Sequence, residues 1–161
     1  PFEQLDQTYP GSRFIVTTRA LDDWLVSRIR HIEERRRIGA TGRMRMEYDA
    51  DPKAAVRKWV HSRLDYHQRV MTYFAKRSGD LLVINICNGA DSTQSVQTIT
   101  HFLGIKTTPG QALPHENARE PASLRPDANP AVRSKTEVRA EVGKILSDIG
   151  LMSEQQAAIF P

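Results

Sequence analysis

Arg19 and Ser27 are the two residues whose types and spacing could bind an anion. Arg19 comes directly after the apolar run from Phe14 to Thr18, and Ser27 follows eight residues later. The guanidinium group of arginine carries a planar fork of donors that matches the oxygens of phosphate or sulfate. Ser27 would lie about two turns into the following helix. The junction of a strand and a helix therefore predicts an oxyanion site at Arg19.

The residues around this pair predict the strand and the helix that would position it. Phe14 to Thr18 is a short β-branched and aromatic run after turn-forming residues, and it predicts a buried strand. From Leu21 onward, apolar residues recur every three or four positions. Asp22 and Asp23 would occupy the first helical turn, where the helix dipole favours carboxylates. In an open α/β sheet, ligands usually bind beyond the carboxyl ends of the strands, where Arg19 would stand.

The rest of the chain predicts an α/β fold with a parallel sheet. A second strand is predicted from Leu81 to Cys87, because an almost unbroken apolar run is typical of a strand covered on both faces. A long helix is predicted from Pro52 to about Arg77, with Asp51 as its N-cap, and another helix would stop at Gly104. The order strand, helix, helix, strand, helix favours parallel pairing. Two strands are few for such a sheet, so further strands are expected from missing sequence or from another segment.

Three further segments complete a single predicted domain over residues 1–161. Arg43 to Asp51 reads as an irregular connection. Residues 106–133 are rich in Pro, Ala and Asn without a hydrophobic period, which predicts a long loop with a functional role. Residues 134–161 predict a C-terminal helical segment that begins with a capping box of Ser134 and Glu137. Its apolar stripe would cover the core or form the surface of a homodimer.

Taken in order, several segments resemble bacterial-type sulfotransferases that use 3′-phosphoadenosine 5′-phosphosulfate (PAPS). In that family, an Arg at a strand end is followed eight residues later by a Ser on the next helix, as Arg19 and Ser27 are here. The resemblance covers roughly residues 1 to 118. The other segments that carry it are Tyr9 to Ile15, Asp23 to Leu25, Leu81 to Cys87, Phe102 to Gly104, and Leu113 to Asn117.

The resemblance implies a fold and an activity. The fold would be a P-loop-NTPase-like parallel sheet flanked by helices, incomplete at its N-terminus. The activity would be transfer of a sulfuryl group from PAPS to a hydroxyl or amine of a small molecule, a glycan or a lipid, without a metal. Arg19 and Ser27 would bind the 3′-phosphate, Asn117 and Arg119 would contact the nucleotide, and His115 would contact the acceptor. No Gly-rich phosphate loop occurs in the sequence, so the phosphosulfate loop and the catalytic base are expected upstream, and this chain alone could be inactive.

Composition and charge narrow the classes of partner. The 161 residues are 39% hydrophobic and 26% charged, which is typical of a globular domain. The net charge of +4 attracts anions, but no aromatic residue interleaves with the run Arg35-Arg36-Arg37, so nucleic acid is not expected. No apolar run is long enough to cross a membrane, and no secretory signal is visible. The single cysteine, Cys87, cannot form an internal disulfide, so a cytoplasmic location is expected.

Two other classes of function remain open. The chain could be a nucleotide-kinase-like phosphotransferase, which would require a Walker-type loop in upstream sequence. It could also be a noncatalytic remnant that binds an anion or a partner protein, with the C-terminal helix as its interface.

Overall fold

The computed structural model describes residues 1–85, 92–106, 110 and 133–151, and they form a mostly helical α/β structure. A 3₁₀ turn at Ser78–Asp80 precedes the second strand. None of the helices within the described ranges combines the length and apolar character that a membrane crossing requires. In chain order the elements are α1 (Phe2–Thr8), β1 (Phe14–Thr18), α2 (Leu21–Arg37), α3 (Arg43–Ala50), α4 (Pro52–Phe74), β2 (Leu81–Asn85), α5 (Ser92–Leu103) and α6 (Lys135–Asp148).

The two described strands pair in parallel, which confirms the predicted parallel sheet. Phe14 lies opposite Leu81 and Thr18 lies opposite Asn85, so both strands end at the same edge. The burial of β1 differs from the prediction, because alternate side chains such as Ile15, which is 36% exposed, face outward. All five residues of β2 are only partly buried. In the described part of the chain the sheet has two strands.

Several predicted segments lie outside the described residues. The predicted second strand extended to Cys87, whereas the described strand ends at Asn85. Of the predicted loop at 106–133, only residues 106, 110 and 133 are described. Residues 152–161 of the C-terminal segment are also outside the described part.

The described residues group into two compact units. The first contains residues 1–19, 65–85, 92–106 and 110, and the second contains residues 20–64 and 133–151. The prediction of one domain over residues 1–161 stays a prediction, because residues 111–132 lie outside the described part.

Aromatic packing and a buried carboxylate organise the first unit. Phe74 is 1% exposed and lies 5.0 Å from Phe14 between ring centroids, which packs α4 against the sheet. Helix α1 was not predicted, because seven residues are too few to show a hydrophobic period. Its Asp6 is 8% exposed, accepts a hydrogen bond from the Tyr73 hydroxyl at 2.8 Å, and receives both terminal nitrogens of Arg77. These contacts fix α1 on the end of α4.

Helices alone form the core of the second unit. The apolar stripe predicted for α2 is buried at Leu25, Ile29 and Ile32, and each of these residues is fully inaccessible. They form one cluster with apolar residues of α4 and of α6, such as Val60 and Val142. This confirms the amphipathic reading of all three helices.

Three helix boundaries follow capping signals in the sequence. The Oδ1 atom of Asp51 accepts a hydrogen bond from the Ala54 amide at 3.0 Å, so Asp51 caps α4 as predicted. At α6 both halves of the capping box between Ser134 and Glu137 are present. Gly104 ends α5 with a φ of 71°, a left-handed conformation that glycine adopts without strain.

The prediction of an irregular connection from Arg43 to Asp51 was wrong, because these residues form α3. The helix is stabilised by ion pairs of Arg43 with Glu47 at 2.9 Å and of Arg45 with Asp49 at 3.2 Å, each between residues four positions apart. Tyr48 is its buried residue and stacks on Trp59. One buried residue in eight leaves no apolar period to detect in the sequence.

The contacts of Asp6 make stability depend on acid pH. Hydrogen bonds from Arg77 and then from Tyr73 lower the pKa of Asp6, so the folded state favours its ionised form. This contribution is present above the ordinary Asp pKa of about 4 and is lost as pH falls through the lowered value. We expect Asp6→Asn to be less stable at pH 7 and to lose less stability than the wild type between pH 5 and pH 3.

Urea denaturation at each pH measures this difference. Asp65→Asn removes a carboxylate from an exposed position of α4 and serves as the control, which should keep the wild-type acid dependence. If the free energy of unfolding falls equally with pH in Asp6→Asn and in the wild type, Asp6 is not the source of the acid dependence.

Candidate functional site

Arg19 lies where the sequence predicted it, directly after the carboxyl end of a parallel strand. β1 ends at Thr18, which is paired with Asn85 at the end of β2. The side chain of Arg19 is partly buried. A cation is therefore held at the edge of the sheet where ligands of α/β folds usually bind.

Helix α2 begins two residues later without a side-chain cap. Its N-cap residue is Ala20, which has no side-chain acceptor, and the first helical hydrogen bond runs from the Trp24 amide to the Ala20 carbonyl at 2.9 Å. The amides from Leu21 to Asp23 therefore precede the helical hydrogen-bond pattern. Such amides, together with the positive end of the helix dipole, can bind the oxygens of an anion.

Cations from α6 neutralise the two carboxylates in the first turn of α2. Arg139 donates a hydrogen bond to Asp23, and its Nε atom lies 4.0 Å from Asp22. The Nζ atom of Lys135 lies 3.9 Å from Asp23. These partners reduce the repulsion that two bare carboxylates would exert on an anion approaching the start of the helix.

Of the other predicted site residues, the structure describes only Ser27. Ser27 is exposed on α2, so its hydroxyl is accessible. Arg19 belongs to the first unit and Ser27 to the second. That both residues bind the same phosphate group stays a prediction from the sequence. His115, Asn117 and Arg119 lie outside the described residues.

Sequence reasoning missed a set of stacked arginine and tryptophan side chains in the second unit. The guanidinium of Arg28 lies 4.9 Å from the ring centroid of Trp24 and 5.0 Å from that of Trp59. Arg63 lies 4.8 Å from the same Trp24 ring. Burial lowers the pKa of Arg28. The signal was present, because a tryptophan precedes an arginine by four residues both at 24 and 28 on α2 and at 59 and 63 on α4.

A second network holds the later turns of α2. Arg133 donates hydrogen bonds to Glu33 of α2 and to Glu141 of α6, and Glu141 also accepts from the Tyr48 hydroxyl at 3.0 Å. Glu33 is only 7% exposed. Burial, together with the adjacent Glu141 carboxylate, raises the pKa of Tyr48. The network ties α2, α3 and α6 together through charged hydrogen bonds.

No protein-family model, curated protein or solved structure matches the chain.

Removal of Arg133 should show how much this network contributes to stability. Arg133→Met would leave Glu33 buried without its cation, and we expect a loss of about 2 to 3 kcal/mol in the free energy of unfolding. The matched control is Arg139→Met on α6, whose partner Asp23 is 34% exposed, and it should cost less than about 1 kcal/mol. Urea denaturation of both variants measures the difference, and equal losses would contradict the assignment.

Proposed function

We propose that this chain carries the 3′-phosphate-binding part of a PAPS-dependent sulfotransferase. The observation that supports the proposal is the position of Arg19, which directly follows the carboxyl end of a parallel strand. A cation at the carboxyl edge of a parallel sheet is a group that an α/β protein can use to bind a phosphate.

The proposed roles follow from the chemistry of each group. Arg19 would form charge-assisted hydrogen bonds to the 3′-phosphate, and Ser27 would donate its hydroxyl to the same group. PAPS supplies the sulfuryl group, which passes in line to the hydroxyl or amine of the acceptor. The fixed donors around the 3′-phosphate would contribute binding and orientation of the donor, which is the main requirement of an in-line transfer.

The finer fold is part of the same proposal. A P-loop-NTPase-like sheet of the sulfotransferase type needs strands beside β1 and β2, and within the described residues each of these two strands has one edge without a partner strand. His115, Asn117 and Arg119 would complete the nucleotide and acceptor contacts that the resemblance implies. A catalytic base is not assigned.

Replacement of Arg19 tests the proposal. We expect Arg19→Ala to weaken the binding of adenosine 3′,5′-bisphosphate about tenfold or more, because the variant loses hydrogen bonds between two charged groups. Ser27→Ala should weaken binding less, because the lost hydrogen bond has a neutral donor. Isothermal titration calorimetry measures both affinities, and circular dichroism checks that the variants are folded.

Arg37→Ala is the matched control, since it removes an exposed arginine from the last turn of α2. It should leave the affinity unchanged. Equal affinities for Arg19→Ala and the wild type would show that the assignment is wrong. If the wild type binds neither PAPS nor adenosine 3′,5′-bisphosphate, the proposed function fails, and binding of ATP instead would favour the phosphotransferase alternative.

A further inference from the structure

The arginines and tryptophans of α2 and α4 exchange partners within the second unit. Arg63 of α4 lies over Trp24 of α2, and Arg28 of α2 lies over Trp59 of α4. Arg28 also lies over Trp24, so two guanidinium groups share that one ring. Cation–π contacts of this kind contribute roughly 0.5 to 2 kcal/mol each and explain how partly buried arginines are tolerated.

Arg28 differs from other arginines of the chain in its lack of a carboxylate partner. Even well-exposed arginines pair with carboxylates, as shown by Arg36 at 47%, Arg43 at 86% and Arg139 at 47% side-chain exposure. Arg28 is partly buried, yet within the described ranges no acidic side chain pairs with it, and burial is the cause of its lowered pKa. A desolvated cation without a paired anion is energetically unfavourable. The charge of Arg28 therefore calls for a partner other than the described carboxylates.

The aromatic rings cannot satisfy the hydrogen-bond donors of Arg28. Rings contact the faces of a guanidinium, whereas its N–H groups point outward in the plane. The Nε atom of Arg28 is buried and has no hydrogen-bond acceptor among the described side chains and backbone. An unsatisfied buried donor costs about 1 to 3 kcal/mol. Arg30 has a similar Nε atom, but no described aromatic ring stacks against its guanidinium group.

We propose that Arg28, held between Trp24 and Trp59, binds the phosphate or sulfate group of a small ligand. A tetrahedral anion would supply the missing counter-charge and accept hydrogen bonds from the edge of Arg28. This site lies within the second unit and does not depend on the proposed sulfuryl transfer. The ligand could be the free inorganic ion or an ester that carries the same group.

The two tryptophans of the sequence both flank Arg28, so intrinsic tryptophan fluorescence reports on this site directly. Inorganic phosphate, inorganic sulfate and glycerol 3-phosphate are titrated into the full chain at constant ionic strength, with sodium chloride as the reference salt. We expect a saturable change in fluorescence for the oxyanions but not for chloride. Tighter binding of glycerol 3-phosphate than of inorganic phosphate would identify an ester as the preferred ligand, and the reverse order would identify the free ion.

Variants of Arg28 complete the test. Arg28→Gln should weaken oxyanion binding about tenfold or more, and Arg28→Lys should weaken it severalfold, because lysine keeps the charge but loses the planar fork. Arg35→Gln removes an exposed arginine of the same helix and should leave binding unchanged. If circular dichroism shows that Arg28→Gln is unfolded, the oxyanion affinity of Arg28→Lys decides the test.

Three results would overturn the proposal. The first is an identical fluorescence response to chloride and to the oxyanions, which would indicate screening of charge alone. The second is the absence of a saturable response in the wild type. The third is an unchanged affinity in the folded Arg28 variants.

Discussion

The parallel pairing of β1 with β2 is the constraint on which the candidate site depends. Because parallel strands end at the same edge, the chain leaves the sheet at Arg19, beside the end of β2 at Asn85. The pairing thus places a cation at the carboxyl edge of the sheet, and this favours the binding of an anion there.

The partners of the arginines divide them into two groups. Some pair with carboxylates and hold helices together, and others could bind a ligand. Arg77 and Arg133 pair with buried carboxylates at Asp6 and Glu33, and they hold α1 and α2 in their respective units. Arg139 neutralises the first turn of α2. Arg28 has aromatic neighbours on its faces but no described carboxylate at its edge. Arg28 is therefore partly buried without a described counter-ion, in a place where a small anion could supply one.

The sequence predicted the elements that have strong local signals. Phe14 to Thr18 and the start of α2 were predicted at their observed bounds, because β-branched runs and apolar periods are local features. The helix caps at Asp51 and Ser134 were also predicted correctly from the sequence. Helix α3 was missed because ion pairs and one buried Tyr48 stabilise it, and neither produces a period.

The candidate site was less predictable than the fold, because it depends on contacts between distant segments. The most prominent run of basic residues in the sequence is Arg35-Arg36-Arg37. It has no interleaved aromatic residue, and it lies exposed at the end of α2. The stacking instead joins Arg28 to Trp59, residues 31 positions apart that meet only through packing of α2 on α4. The spacing of Arg19 and Ser27 could be read from the sequence, whereas the uncapped start of α2 required the structure.

The claim that an oxyanion binds at Arg19, at the carboxyl edge of the sheet, can be tested by proton–nitrogen correlation NMR during titration with adenosine 3′,5′-bisphosphate. The largest shifts should occur at the side-chain Nε–H of Arg19 and at the backbone amides of Thr18 and Asn85, which end the two paired strands. Shifts confined to other residues, or no shifts at saturating nucleotide, would contradict the claim.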